Sequence, residues 1–181
     1  MRRAVKTAIL LFTMGIASAP TPARAEGFVV PWIGANFGNS QAEGKTAFGV
    51  SAGTMGAGIF GAEFDLGYSP DFFGESVSNN VLTAMGNLIL GVPIGGTSGA
   101  GIRPYVTGGV GLIRTKILSS SDNDFGFSLG GGVMGFFSDH VGLRGDARFF
   151  RDFQSESGSG PLNLDIGGFH FWRASIGVVL R

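Results

Sequence analysis

Polar and apolar residues alternate along Val141–Phe153, which reads VGLRGDARFFRDF. Arg144, Asp146 and Arg148 form one set, and the residues between them are apolar or glycine. Because successive side chains of a β-strand point to opposite faces, this pattern predicts a strand with one charged and one apolar face. A membrane β-barrel suits such a strand, since it is apolar toward lipid and polar inside. A soluble barrel with the reverse arrangement gives the same alternation, so one strand leaves both possibilities open.

The same period of two recurs in eight segments after residue 26. The predicted strands lie at about Gly27–Phe37, Thr46–Thr54, Ile59–Tyr68, Asn80–Ile94, Ile102–Ile117, Asp124–Phe137, Val141–Phe153 and Phe169–Arg181. Helices are excluded because glycine recurs inside the segments. Most of the segments reach the roughly 9–11 residues that a strand needs to cross a bilayer. The sequence therefore predicts an all-β fold, an eight-stranded antiparallel up-and-down transmembrane β-barrel.

The connections between the predicted strands differ in length. Short ones follow strands two, four and six, and longer, more polar ones follow strands one, three, five and seven. The longer connections are Gly38–Lys45, Ser69–Asn79, Leu118–Asn123 and Gln154–Gly168. Transmembrane barrels show this asymmetry, with tight periplasmic turns and extended outer loops.

The first 25 residues have the pattern of a secretory signal peptide. Basic residues open the chain, the apolar run Ala8–Ala19 follows, and small residues precede the expected cleavage site before Glu26. We therefore expect a signal peptide at 1–25 and a barrel domain at 26–181. The signal segment holds four of the 13 basic residues and no acidic one, so the barrel domain is predicted to be acidic.

Composition excludes several kinds of site. The chain has no cysteine, so it has no disulfide framework and no thiolate metal site. No basic patch indicates a nucleic-acid partner. The acidic residues of the loops lack the dense Asp/Asn/Gly spacing of a calcium loop. We therefore expect no cofactor and no metal.

Charged residues on the polar faces of the strands are the best candidates for a site. The predicted lumen charge network comprises Glu63, Asp65, Arg144, Asp146, Arg148 and Arg173. Three acids balance three bases, which favours a paired network over an ion-selective ring. Such a network could plug or gate the barrel, or could simply satisfy buried charge.

Aromatic residues near the strand ends predict a girdle where the barrel crosses the lipid headgroups. The predicted girdle comprises Tyr68, Phe72, Phe73, Phe149, Phe150, Phe153, Phe169, Phe171 and Trp172. The alternative is ordinary hydrophobic packing beneath the loops.

Three motifs resemble one known family. They are PYVTGGVGL at Pro104–Leu112, VGLRGDARFF at Val141–Phe150 and the final WRASIGVVLR. With the signal peptide and the eight amphipathic strands, they resemble small outer-membrane β-barrel proteins of the opacity and outer-membrane-protein-A-like kind. The resemblance implies a monomer in the outer membrane with both termini in the periplasm, in contact with lipid and lipopolysaccharide. It also implies folding by the barrel assembly machinery, although the family usually ends in an aromatic residue and this sequence ends in Leu180-Arg181.

The expected role is non-enzymatic, either structural or in surface interactions. The alternatives are a small-solute pore or transporter, a soluble lipocalin-like binding barrel and a lipid-modifying enzyme. An enzyme would need a nucleophile and a base within reach of each other. Only His140 and His170 are available as histidine bases, with Ser155, Ser157 and Ser159 in the loop beside His170.

Overall fold

Eight strands close into a barrel in the computed structural model, which describes residues 25–38, 44–73, 78–118, 120–153 and 169–181. Each strand pairs antiparallel with the next, and β8 pairs with β1. The strands are β1 Ala25–Phe37, β2 Lys45–Gly56, β3 Phe60–Pro70, β4 Asn79–Gly91, β5 Gly101–Ile117, β6 Ser120–Phe136, β7 Val141–Asp152 and β8 His170–Leu180. The predicted eight-stranded up-and-down barrel is confirmed. The predicted signal peptide lies outside the described residues, except for Ala25.

The two ends of the barrel carry different connections. The end that holds Ala25 and Leu180 also holds the β2–β3, β4–β5 and β6–β7 turns, and we call it the terminal end. The opposite end, which we call the loop end, holds the four remaining connections. Within the described ranges, no helix is long and apolar enough to cross a bilayer.

The β5–β6 connection is the exception to the predicted loop lengths. The sequence predicts a long loop at Leu118–Asn123, but β5 ends at Ile117 and β6 begins at Ser120. Pairing continues through Arg114 opposite Asn123 and through the polar residues beyond them. A hairpin that extends past the apolar band has solvent on both faces, so it needs no apolar alternation there.

Side-chain burial separates the two faces of every strand. On the outer face, Leu88 is 73% exposed and Ile176 is 69% exposed. On the inner face, Asp65 and Arg148 are buried, at 0% and 1% exposure. Large apolar side chains therefore cover the outside of the barrel while charged side chains point inside, which is the reverse of a soluble binding barrel.

The interior consists of two apolar clusters with a polar layer between them. The cluster toward the terminal end comprises Phe28, Val30, Met55, Ile89, Tyr105, Met134, Phe136 and Val179. The cluster toward the loop end comprises Phe72, Val81, Met85, Ile113, Phe150, Phe169 and Phe171. Inward-facing glycines leave room for the large side chains: a Cβ on Gly49 would lie 2.5 Å from the Trp32 ring.

Candidate functional site

Strands β3 and β7 lie on opposite sides of the eight-membered ring, and their charged side chains meet across the lumen. Glu63 comes from the inner face of β3, and Arg144, Asp146 and Arg148 come from the inner face of β7. The alternation of the two sequences directs all four side chains inward. The barrel is narrow enough for side chains from opposite walls to touch, as expected for eight strands.

These four side chains form a closed ring of ion pairs. Arg148 donates from Nη2 to Glu63 Oε1 at 2.7 Å and from Nε to Asp146 Oδ1 at 2.7 Å. Arg144 donates from Nη2 to Asp146 Oδ2 at 3.1 Å and from Nη1 to Glu63 Oε2. Each guanidinium thus contacts both carboxylates, which is the arrangement that buried charges require.

Tyr105 joins the ring from β5. Its hydroxyl donates to Asp146 and accepts from Arg144 Nε at 2.5 Å. The Arg144 guanidinium also lies 4.8 Å from the centroid of the Tyr105 ring. The tyrosine therefore connects the ion pairs to the apolar cluster of the terminal end.

A second ion pair stands beside the ring. Arg173 of β8 donates from Nη2 to Asp65 Oδ1 at 2.7 Å, and Ser51 donates to the other oxygen of Asp65 at 2.8 Å. The Arg173 guanidinium lies between two aromatic rings, 4.0 Å from the Trp32 centroid and 4.8 Å from the Phe150 centroid. All six charged residues predicted for the lumen thus lie within it and are paired.

The packing of this charged layer limits what it can do. It contains three carboxylates and three guanidiniums, so it presents no net charge to an ion. The cavity beside Arg148 and the cavity beside Trp32 each measure about 10 Å³, roughly the space of one water molecule. The apolar clusters close the lumen above and below the layer. The layer can therefore hold the barrel walls together, but it leaves no path for a solute.

Four of the aromatic residues predicted for the girdle lie inside the barrel instead. Phe72, Phe150, Phe169 and Phe171 are buried in the cluster of the loop end, with the Phe150 and Phe171 rings stacked at 4.9 Å. Phe150 and Phe171 each lie two residues from an inward-facing arginine, Arg148 and Arg173 respectively. The alternation of side chains along the strand therefore directs them into the lumen. Phe73 packs partly buried against the same cluster.

The remaining predicted girdle residues point outward near the loop end. Phe153 is 54% exposed, and Trp172 and Tyr68 are also exposed. Phe149 is partly exposed and lies 5.3 Å from Trp172, centroid to centroid.

Several polar residues of this interior lie outside the network predicted from the sequence. Tyr105 is buried on the inner face of β5 and lies outside the predicted network, and Ser128 donates a hydrogen bond of 2.7 Å to Asn87, which the sequence did not predict. The only signal for them in the sequence is alternation along the strand, because the neighbours of each residue are apolar or glycine and face outward. Alternation shows which face of the sheet a side chain occupies, but not which residue it contacts across the lumen.

The chain matches a family model described as the outer membrane protein beta-barrel domain over residues 8–179. The chain belongs to this family. The comparison with curated proteins gives no match. The family and the structural neighbours described next indicate an outer-membrane location.

Two solved structures show the same fold. One is Neisserial surface protein A, with a TM-score of 0.65, 16% identity, and coverage of 86% of this chain and 97% of that chain. The other is the N-terminal β-barrel domain of Pseudomonas aeruginosa OprF, with a TM-score of 0.57, 15% identity, and coverage of 87% and 98%. At these identities, the similarity extends to the fold alone.

The two candidate histidines lie at opposite ends of this outer-membrane barrel. His140 belongs to the turn between β6 and β7 at the terminal end, whereas His170 begins β8 at the loop end. Ser155, Ser157 and Ser159 lie outside the described residues. In the described ranges, no group of three or more His, Cys, Asp or Glu residues is placed to hold a metal ion.

Proposed function

We propose that the protein is a non-conducting, non-enzymatic outer-membrane barrel that anchors a surface-exposed loop end. The charged layer in the lumen is structural in this proposal and ties opposite walls of the barrel together. The chain acts as a monomer with both termini in the periplasm, is surrounded by lipid and lipopolysaccharide, and is inserted by the barrel assembly machinery.

The observation that carries this proposal is the filled lumen. A pore needs a continuous polar path, whereas here the ion-paired layer lies between two apolar clusters. An open channel would require at least three changes at once: separation of Arg148 from Glu63, separation of Arg173 from Asp65, and displacement of the Phe150–Phe171 stack. These contacts are buried, so breaking them exposes unpaired charge to an apolar surrounding.

The orientation is supported by the longer connections of the loop end, above all the one between Asp152 and His170. Outer-membrane barrels extend their loops outward and keep tight turns in the periplasm. This end therefore provides the surface that contacts molecules outside the cell.

Planar-bilayer recording tests the proposal. We expect the purified barrel to insert and to give no single-channel steps, because the lumen lacks a water-filled path. The shift of the folded band on unheated gels verifies that the inserted protein is folded, and a porin recorded in the same bilayer serves as the positive control. Reproducible conductance steps from folded protein would contradict the proposal and support the alternative of a small-solute pore.

A further inference from the structure

The hydrogen-bonded ladder between the first and last strands has a gap. Val29 of β1 pairs with Leu180 of β8, and the next pair in this ladder joins Trp32 to Gly177. Both pairs belong to one register, so the residues between Val29 and Trp32 lie opposite β8 without pairing, and no bulge shifts the strands. The other ladders of the barrel run through the described residues of their strands without a break.

Pro31 lies in this gap and explains it. In an antiparallel ladder, the carbonyl and the N–H of one residue point to the same neighbouring strand. The Pro31 carbonyl faces β8, because it lies 2.7 Å from the point that a Cβ on Gly177 would occupy. The N–H that proline lacks is therefore the donor that the carbonyl of Val178, its counterpart on β8, would accept. Proline inside a sheet is usually confined to edges and bulges, and this position is neither.

The other prolines of the described strands do not interrupt a ladder. Pro70 is the last residue of β3. Pro104 lies within β5, and its ladder with β6 is unbroken. The Pro104 carbonyl accepts from the N–H of Val92, which lies beyond the last pair of the β4–β5 ladder. The N–H that Pro104 lacks therefore falls past the end of a ladder, whereas the one that Pro31 lacks falls inside a ladder.

Cavities adjoin the gap on both faces of the barrel wall. On the outer face, a groove of about 670 Å³ is lined in part by Pro31 and Val178. On the inner face, the cavity of about 10 Å³ beside Arg148 is lined in part by Val30. Gly177 lines both spaces and has no side chain to fill either of them. Side-chain packing that would hold the two strands together is therefore weakest where the ladder also lacks a hydrogen bond.

We propose that the seam between β1 and β8 opens locally at Pro31 while the other ladders of the barrel stay intact. The opening separates Ile176 and Val178 from β1 and connects the inner cavity with the outer groove. The ring of ion pairs joins β3 to β7, so it stays closed, and no path opens along the barrel axis. This conformational device goes beyond the proposed function and does not depend on the orientation of the barrel.

Amide hydrogen exchange along β8 tests this inference. The N–H groups of Ile176 and Val178 face β1, whereas those of Ser175 and Gly177 face β7. The folded barrel is placed in lipid nanodiscs, and exchange is followed residue by residue by NMR. We expect the two amides that face β1 to exchange at least about tenfold faster than the two that face β7. The comparison is internal, because all four amides lie on one strand at neighbouring depths.

Substitution of Pro31 tests the cause of the opening. Pro31→Val restores an N–H that faces β8, so exchange at Ile176 and Val178 should slow by about fivefold, the effect of one ordinary hydrogen bond. Pro31→Ala restores the same N–H with a smaller side chain and serves if the valine variant does not fold. Pro104→Val is the matched control and should leave both exchange rates unchanged. The shift of the folded band on unheated gels verifies that each variant is folded.

Several results would overturn the inference. Equal protection of all four amides would show that the seam stays closed. Fast exchange at Val178 with Ile176 protected would show a fixed gap in place of an opening, because the pair of Ile176 with Ile33 is intact. Unchanged exchange in folded Pro31→Val and Pro31→Ala would show that the proline does not control the seam.

Discussion

Arg148→Met is expected to lower the free energy of unfolding by about 3–5 kcal/mol. Arg148 is buried at 1% exposure and donates to both Glu63 and Asp146 at 2.7 Å. Removal of the guanidinium leaves two carboxylates facing only Arg144, so the layer carries an uncompensated negative charge in an apolar surrounding. Denaturant unfolding of the refolded barrel in lipid vesicles measures the loss.

Arg151→Met is the matched control for this substitution. Arg151 lies three residues further along β7, but its side chain points outward and is exposed. We expect its removal to change the free energy of unfolding by less than about 0.5 kcal/mol in vesicles. Equal losses in the two variants would show that the ion pairs of the lumen are not what stabilises this layer.

A double variant separates loss of packing from loss of charge balance. In Arg148→Met/Glu63→Gln, one acid and one base leave together, and the remaining Arg144 and Asp146 still pair. We therefore expect the double variant to lose less stability than the sum of the single variants, because neither remaining group is unpaired. Strict additivity would contradict the ring of ion pairs.

Ile176→Arg is the second substitution with a large expected effect. Ile176 lies opposite Gly145 on β7 and Ile33 on β1, at the level of the charged layer and midway between Trp172 and Leu180. It is 69% exposed, so the new guanidinium would face the centre of the bilayer. A charge at this depth costs about 2–4 kcal/mol in transmembrane barrels, and unfolding in vesicles measures it.

His170→Arg provides the control for depth. His170 lies on the same strand and the same face as Ile176, but at the headgroup level beside Phe149. We expect a cost of no more than about 1 kcal/mol there, because charge near the interface reaches water. If Ile176→Arg were as well tolerated as His170→Arg, the outer face of the barrel would be in contact with water.

The sequence predicts the strands and their faces because alternation is a local property. Glu63, Asp65 and Arg173 could be placed in the lumen from their neighbours alone. The contact between Glu63 and Arg148 joins residues far apart in the chain, and it depends on closure of the ring with β3 opposite β7. Sequence could predict that the charges balance, but not which of them pair.

The girdle predictions that the structure contradicts are wrong for a physical reason. Phe171 lies near the loop end of β8, where a girdle residue is expected. It is two residues from the inward-facing Arg173, however, so the alternation of the strand directs it inward. Phe72 follows the end of β3, where no alternation applies, and it packs against Phe171 at 5.1 Å between centroids. An aromatic residue near a strand end can therefore either close the lumen or face the headgroups. Only its position in the inward–outward alternation of the strand distinguishes the two.

The two tryptophans provide the most direct test of the claim that the apolar face contacts lipid. Trp172 points outward and Trp32 points into the lumen, and the chain has no other tryptophan. Trp32→Phe leaves Trp172 as the only indole, and Trp172→Phe leaves Trp32. In vesicles of lipids brominated near the headgroup end of the acyl chain, we predict strong quenching of Trp172 and little quenching of Trp32. Quenching of Trp32 with Trp172 unaffected would contradict the account.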